Sequence, residues 1–195
     1  MSKVTFHKNN LLETTSSSVV EEIYKLRHET FVERLEWEVN SENGAEKDQF
    51  DTDNAINIAV SGYDDQLQGC WRALPTTGEY MLKDVFPELL QGEEAPQEPE
   101  VWEISRFAVR KGTSSVAKGF NAQVTVAMVK SFWDFAIENN VRAYVAVTTV
   151  ACERMLRQLG VTLRRMGEGE SLQIGKEKSV ALYIEVDRNL NITAH

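Results

Sequence analysis

Apolar and polar positions alternate along this chain with two different periods. Val19, Ile23, Leu26, Thr30 and Phe31 recur at helical spacing, and the serines at 16–18 offer capping oxygens ahead of them. A helix is therefore expected through VVEEIYKLRHETFVERLEW. A second is expected over 120–138, where Val124, Ala127, Met128, Ser131 and Phe135 share a side. A third should start at Thr149 as its cap and run through Leu159, stopping at Gly160. Period-two or continuous apolar runs predict strands at 3–7, 56–60, 66–74, 102–109, 142–147, 161–166 and 179–186. Residues 62–65 carry a hairpin turn signal between the second and third of these. The stretches 38–54 and 91–100 are polar and acidic and read as loops. The order of elements predicts an α+β fold in one domain over 1–195, a mostly antiparallel central sheet with helices on its faces.

Three arginines break the pattern. Arg27 lies four residues after Ile23 and four before Phe31, on the apolar side of its helix. Arg72 and Arg106 lie inside strands rich in apolar and aromatic residues. A buried guanidinium without a carboxylate costs several kcal/mol. Asp48, Asp51 and Glu103 are the candidate partners, which predicts an internal ion network of three arginines and three carboxylates. Strand alternation sets Trp102, Ile104 and Arg106 on one face and Glu103, Ser105 and Phe107 on the other. A bulge or the strand end is needed for Glu103 and Arg106 to serve one site.

Composition narrows the function. The net charge of −9 excludes a general nucleic-acid binder. No apolar run reaches the roughly 20 residues of a membrane span. The opening MSKVTFHKNN lacks the apolar stretch of a secretory signal, so a cytoplasmic protein is expected. Cys70 and Cys152 stand far apart and His7, His28 and His195 are scattered, so no metal site is expected. The charge is uneven: from Arg142 to Arg188 eight Lys/Arg face six Asp/Glu, and the remainder is strongly acidic. A basic patch on an acidic protein suits an acidic partner.

The segments LRHETFVERLEW, EKDQFDTD, GCWRALPTTGEYMLKDVFPELLQGEEAP, WEISRF, VTTVACERMLRQLG and IGKEKSVALYIEV resemble, in this order, the LuxI-type acyl-homoserine lactone synthases, most nearly their LasI-like branch. Nine positions match that family's pattern: Arg27, Phe31, Trp37, Asp48, Asp51, Arg72, Phe86, Glu103 and Arg106. The resemblance implies a GNAT-like acyltransferase fold, in which two central strands splay into a V. It implies that an acyl group passes from acyl carrier protein to the α-amine of S-adenosylmethionine, which is a substrate, so that no cofactor is needed. The methionyl carboxylate then closes the lactone and expels methylthioadenosine. The stretch Arg110-Lys-Gly-Thr-Ser-Ser lacks the Gly-rich turn with which many GNAT enzymes hold coenzyme A phosphates, which favours a carrier-protein donor.

Within that resemblance Glu103 is the expected base, with Ser105 and Arg106 beside it in the strand. Arg27, Phe31, Trp37, Asp48, Asp51, Arg72 and Arg106 are expected at S-adenosylmethionine, with Arg27 or Arg106 on its carboxylate. Met81, Phe86, Phe107, Met128, Ala146, Thr148 and Leu156, together with Leu82, Val124 and Val147, are candidates to line the acyl chain. Thr148 suits a 3-oxo group and Ala127 and Ala146 a long chain, although the close relatives carry threonine where this chain has Ala146. Lys118, Arg154, Arg157, Arg164 and Arg165 are the expected docking residues for the acidic carrier. The rival readings are an N-acetyltransferase using acetyl-coenzyme A and a non-catalytic carrier-binding module.

Overall fold

A computed structural model describes residues 2–8, 14–62, 65–110 and 115–187, with the side chains of 14–17 and 115–122 left out. The chain forms two compact units, one of Met1–Ala73 with Arg106–Ser131 and one of Leu74–Ser105 with Phe132–His195.

In the first unit β1 (Lys3–Lys8) pairs antiparallel with β4 (Ile56–Ser61), and β4 with β5 (Leu67–Pro75), which ends in the second unit. Helix α1 (Thr14–Arg27) buries Ile23 and Leu26 in a cluster with Phe31, Ala59, Leu67, Cys70 and Ala108. The expected continuous helix does not stay α-helical. At His28 it widens into a π-helix that ends at Arg34. The amide of Leu35 then reaches back to the carbonyl of Thr30, and that of Trp37 to Phe31. Such wide turns cluster at functional sites.

The acidic stretch also departs from expectation. It holds a hairpin of β2 (Ser41–Glu42) and β3 (Ala45–Glu46). Asn43 and Gly44 turn it at φ 52° and 75°, the left-handed pair that two-residue hairpins favour.

In the second unit β6 (Val101–Val109), which continues into the first unit from Arg106, pairs parallel with β7 (Ala143–Thr149). The paired stretch runs only from Val101↔Ala143 to Ile104↔Ala146, and Ser105 and Val147 lie beyond it. This is the splay of the expected V. β10 (Glu177–Glu185) pairs antiparallel with β7, with β8 (Leu163–Arg165) and with β9 (Leu172–Ile174). The fold class is thus α+β with a mostly antiparallel sheet, as expected.

Helix α3 (Ser115–Asn139) begins earlier than its periodicity indicated. Helix α4 (Val150–Gln158) starts where the sequence placed it: the Thr149 hydroxyl accepts from the Cys152 amide at 3.2 Å. A short helix α2 (Met81–Asp84) and a 3-10 turn (Pro87–Leu90) fill a stretch for which no element was expected. No helix among the described residues is long and apolar enough to cross a membrane.

Candidate active site

The three anomalous arginines converge in the first unit. Arg27, the last residue of α1, is fully buried. Its Nε donates to Glu46 at 2.5 Å, and Nη1 and Nη2 donate to the two Asp51 oxygens at 2.8 and 2.9 Å. Arg72 of β5, equally buried, donates to Asp48 at 2.6 Å and to Asp51 at 2.9 Å. Arg106 donates to Glu46 at 2.9 Å and lies 2.7 Å from Asp48. Three guanidinia thus meet three carboxylates with no net charge, and bidentate geometry fixes their planes.

Asp48 and Asp51 were expected in this network, and Glu46 was not. It reaches the arginines because the Asn43–Gly44 turn folds β3 back under α1, and it is completely buried. The Asn-Gly pair was the available signal.

The backbone contributes as well. Arg106 sits at φ 54°, a conformation that costs a residue with a Cβ roughly 1–2 kcal/mol. It interrupts the regular extended backbone of β6. Aromatic rings flank the guanidinia. The Phe31 ring centroid lies 5.5 Å from the Arg106 guanidinium, Tyr24 lies 5.2 Å from that of Arg27, and Phe50 lies 5.8 Å from that of Arg72. Phe31 and Trp37 stack with centroids 5.0 Å apart. Burial alone would lower the Arg27 pKa, but Asp51 and then Glu46 outweigh it and hold it above its usual value. Burial would raise the Asp51 carboxyl, yet Arg27, Arg72 and the Asp48 amide hold it well below the ordinary aspartate range. Cys70 is pushed up to about 12 by burial and stays a thiol.

Glu103 lies in the second unit and is almost wholly buried, with Ser105 buried two residues on. Its Oε2 accepts from the Met81 amide at 3.0 Å and its Oε1 from the Leu82 amide at 2.7 Å. Both carboxylate oxygens are thus held by the backbone at the start of α2.

The candidate acyl-chain residues divide between the units. Phe107, Val124, Ala127 and Met128 belong to the first, with Val124 and Met128 fully buried. Met81, Leu82, Phe86, Ala146, Val147, Thr148 and Leu156 belong to the second, where Met81, Phe86, Val147 and Thr148 remain half-buried.

The docking candidates are more tightly held than their charges suggest. Arg157 and Arg165 both grip Glu153, at 3.0 and 2.8 Å. Burial works against that carboxylate's ionisation, and Arg165 and Arg157 prevail and lower its pKa. Arg164 pairs with Glu93 at 2.7 Å and lies 4.9 Å from the Tyr183 ring centroid. Arg154 is exposed. The Lys118 side chain falls outside the described residues.

A family model described as autoinducer synthase matches residues 10–192. The chain is 39% identical over 165 residues to an acyl-homoserine-lactone synthase of Aliivibrio fischeri, covering 85% of each. It superposes on a crystal structure of the AHL synthase LasI with a TM-score of 0.85 and 35% identity, over 97% of this chain and 92% of that one. It superposes on TofI, in a ternary complex with an inhibitor and MTA, with a TM-score of 0.81 and 31% identity, over 96% and 94%. The fold alone is shared with BjaI, a CoA-dependent acyl-homoserine lactone synthase 21% identical to this chain, at a TM-score of 0.83 over 97% and 86%. The chain belongs to the autoinducer synthase family, the acyl-homoserine-lactone synthases.

Proposed function

We propose that this enzyme acylates S-adenosylmethionine from acyl carrier protein, working in the cytoplasm as one catalytic domain over 1–195, and closes the product to an N-acyl-homoserine lactone of medium-to-long chain. The observation that carries the S-adenosylmethionine reading is the neutral ion network beside the Phe31–Trp37 stack. Aromatic faces attract a sulfonium by on the order of 1 kcal/mol. An arginine held rigid by carboxylates presents a planar fork to the methionyl carboxylate. Arg106, whose guanidinium faces the Phe31 ring of that stack at 5.5 Å, is the arginine assigned to that carboxylate.

In this reading Glu103 takes a proton from the α-ammonium group, directly or through a water. The freed amine attacks the thioester carbonyl, the carbonyl oxygen gains charge, and the carrier thiol leaves as the amide forms. The methionyl carboxylate then attacks its own γ-carbon and displaces methylthioadenosine. That step needs mainly alignment, since the sulfonium is already a good leaving group. The donor reading rests on exposed Arg154, a charge that suits an acidic carrier, and on the stretch Arg110-Lys-Gly-Thr-Ser-Ser, which is not the Gly-rich turn that suits coenzyme A phosphates.

The test is to supply S-adenosylmethionine with one acyl group on carrier protein or on coenzyme A, and to quantify acyl-homoserine lactone and methylthioadenosine by mass spectrometry. Product from the carrier thioester, with far less from coenzyme A, is expected. Equal or faster turnover with coenzyme A overturns the donor reading. Acetyl transfer from acetyl-coenzyme A without methylthioadenosine would instead establish an N-acetyltransferase. In the same assay Glu103→Gln should remain folded and lose most amide formation. Normal turnover by that variant removes Glu103 as the base.

A further inference from the structure

Helix α2 has only four residues, yet its first two amides hold both oxygens of a buried carboxylate. A single helical turn is not stable by itself, so something else must fix it. The residue before it is Tyr80, completely buried and in an extended conformation at φ −154° and ψ 157°. Its phenol donates to the Pro96 carbonyl at 2.7 Å, and its amide donates to the Asp84 carboxylate at 2.9 Å. Three successive amides, of Tyr80, Met81 and Leu82, therefore all point at carboxylates.

The loop that supplies Pro96 is itself secured. The Thr76 hydroxyl lies 2.9 and 2.7 Å from the carbonyls of Glu98 and Val101 and accepts from the Glu98 amide at 3.2 Å. The Tyr80 ring is covered on one side by Lys83, whose ammonium lies 5.1 Å from its centroid and donates to the Gly78 carbonyl at 2.7 Å. Burial, and then the negative charges of Glu103 and Asp84, push the Tyr80 phenol up, so it remains a donor across the working pH range.

We propose that Tyr80 is a positioning residue for the reaction: anchored on Pro96, it fixes the start of α2, and the Met81 and Leu82 amides in turn fix the orientation of the Glu103 carboxylate. The catalytic part of this proposal rests on Glu103 as the base, and the positional part does not. Because Met81 is also a half-buried candidate for the acyl-chain wall, the same turn would link chain seating to the base.

Tyr80→Phe removes one oxygen and keeps the ring. Amide proton resonances of Met81 and Leu82 report the positional part by NMR. They should shift upfield in Glu103→Gln and in the same direction, by less, in Tyr80→Phe. The kcat of Tyr80→Phe should fall about tenfold to a hundredfold, as expected when a reacting group is misplaced, with the KM for S-adenosylmethionine unchanged. The acid limb of its kcat–pH profile should move. Tyr80→Phe with Glu103→Gln should be no slower than Glu103→Gln alone. Asp84→Asn, which weakens the same turn from its other end, should reproduce the Tyr80→Phe resonance shifts in weaker form. Unchanged Met81 and Leu82 resonances in Tyr80→Phe overturn the proposal. So does a loss of activity that is fully additive with Glu103→Gln and leaves the pH profile in place. If Glu103→Gln turns over normally, the base reading falls with the catalytic part, and the resonances alone decide whether Tyr80 orients the carboxylate.

Discussion

Replacing Asp51 with asparagine tests whether the ion network is a sealed electrostatic unit. The carboxylate accepts from both terminal nitrogens of Arg27, from Arg72 and from the Asp48 amide, and its side chain is wholly buried. Asparagine has nearly the same shape, but it removes one negative charge and turns an N–H₂ group toward a guanidinium. The network then carries a net positive charge among buried side chains. Breaking a buried pair by removing one partner costs about 3–5 kcal/mol, a large share of the 5–15 kcal/mol that hold a typical domain together.

Urea unfolding at neutral pH should show that loss as a lower midpoint with an unchanged slope. The exposed Glu22→Gln, whose Lys25 partner is open to solvent, should show no resolvable change. The acid dependence should follow the same logic. The Asp51 carboxyl is held below its unfolded value of 3.8, so its contribution is complete above that pH and lost as pH falls below it. The Asp51→Asn protein should therefore lose less stability than wild type on acidification. A destabilisation below about 1 kcal/mol, with an acid limb matching wild type, would refute the claim that these arginines depend on internal carboxylates for their charge balance.

Arg154→Glu, alone and with Arg157→Glu, should raise the KM for acyl carrier protein while leaving that for S-adenosylmethionine unchanged, and added salt should imitate the effect. A KM insensitive to both would place carrier docking elsewhere. Ala146→Phe should shorten the preferred acyl chain in a product profile, at an overpacking cost of about 1–3 kcal/mol; a folded variant with the wild-type profile would show that this side chain does not line the chain. Gly167→Ala should lower the melting temperature, because φ is +59° there and an added Cβ would lie 2.2 Å from the Leu90 carbonyl oxygen. The left-handed backbone alone costs alanine about 1–2 kcal/mol, so an unchanged melting temperature would require the 165–170 turn to rearrange freely.

Elements with a strong period were legible. Strands β4, β5 and β7 and the Thr149 cap lie within a residue or two of their expected positions, because strands buried on both faces leave continuous apolar runs bounded by turn residues. The π-helix left no such trace. Widening a turn from four to five residues changes which carbonyl an amide meets, as from Leu35 to Thr30, without requiring any particular residue type. The Met81–Leu90 stretch was missed for a different reason: its two turns are too short to display a period. Charge counting likewise recorded Arg157, Arg164 and Arg165 as basic surface without registering that Glu153 and Glu93 already hold them.

The site was legible in proportion to how far side chains build it. A buried arginine demands a carboxylate, so Arg27, Arg72 and Arg106 pointed to Asp48 and Asp51 before any coordinates. The same reasoning assigned Glu103 to that network, because arginine is the conspicuous partner for a buried acid. The structure gives Arg27 and Arg106 a further carboxylate in Glu46 and gives the Glu103 oxygens the backbone of α2. Every residue except proline carries an amide donor, so nothing in the letters at positions 81 and 82 marks them as partners of an acid. What does mark them is the residue before them. A tyrosine buried to its phenol needs an acceptor, and satisfying it at Pro96 leaves the following amides with a fixed direction. The contacts that orient Glu103 are therefore backbone contacts, and Tyr80, which sets the direction of those amides, is the side chain through which to test them.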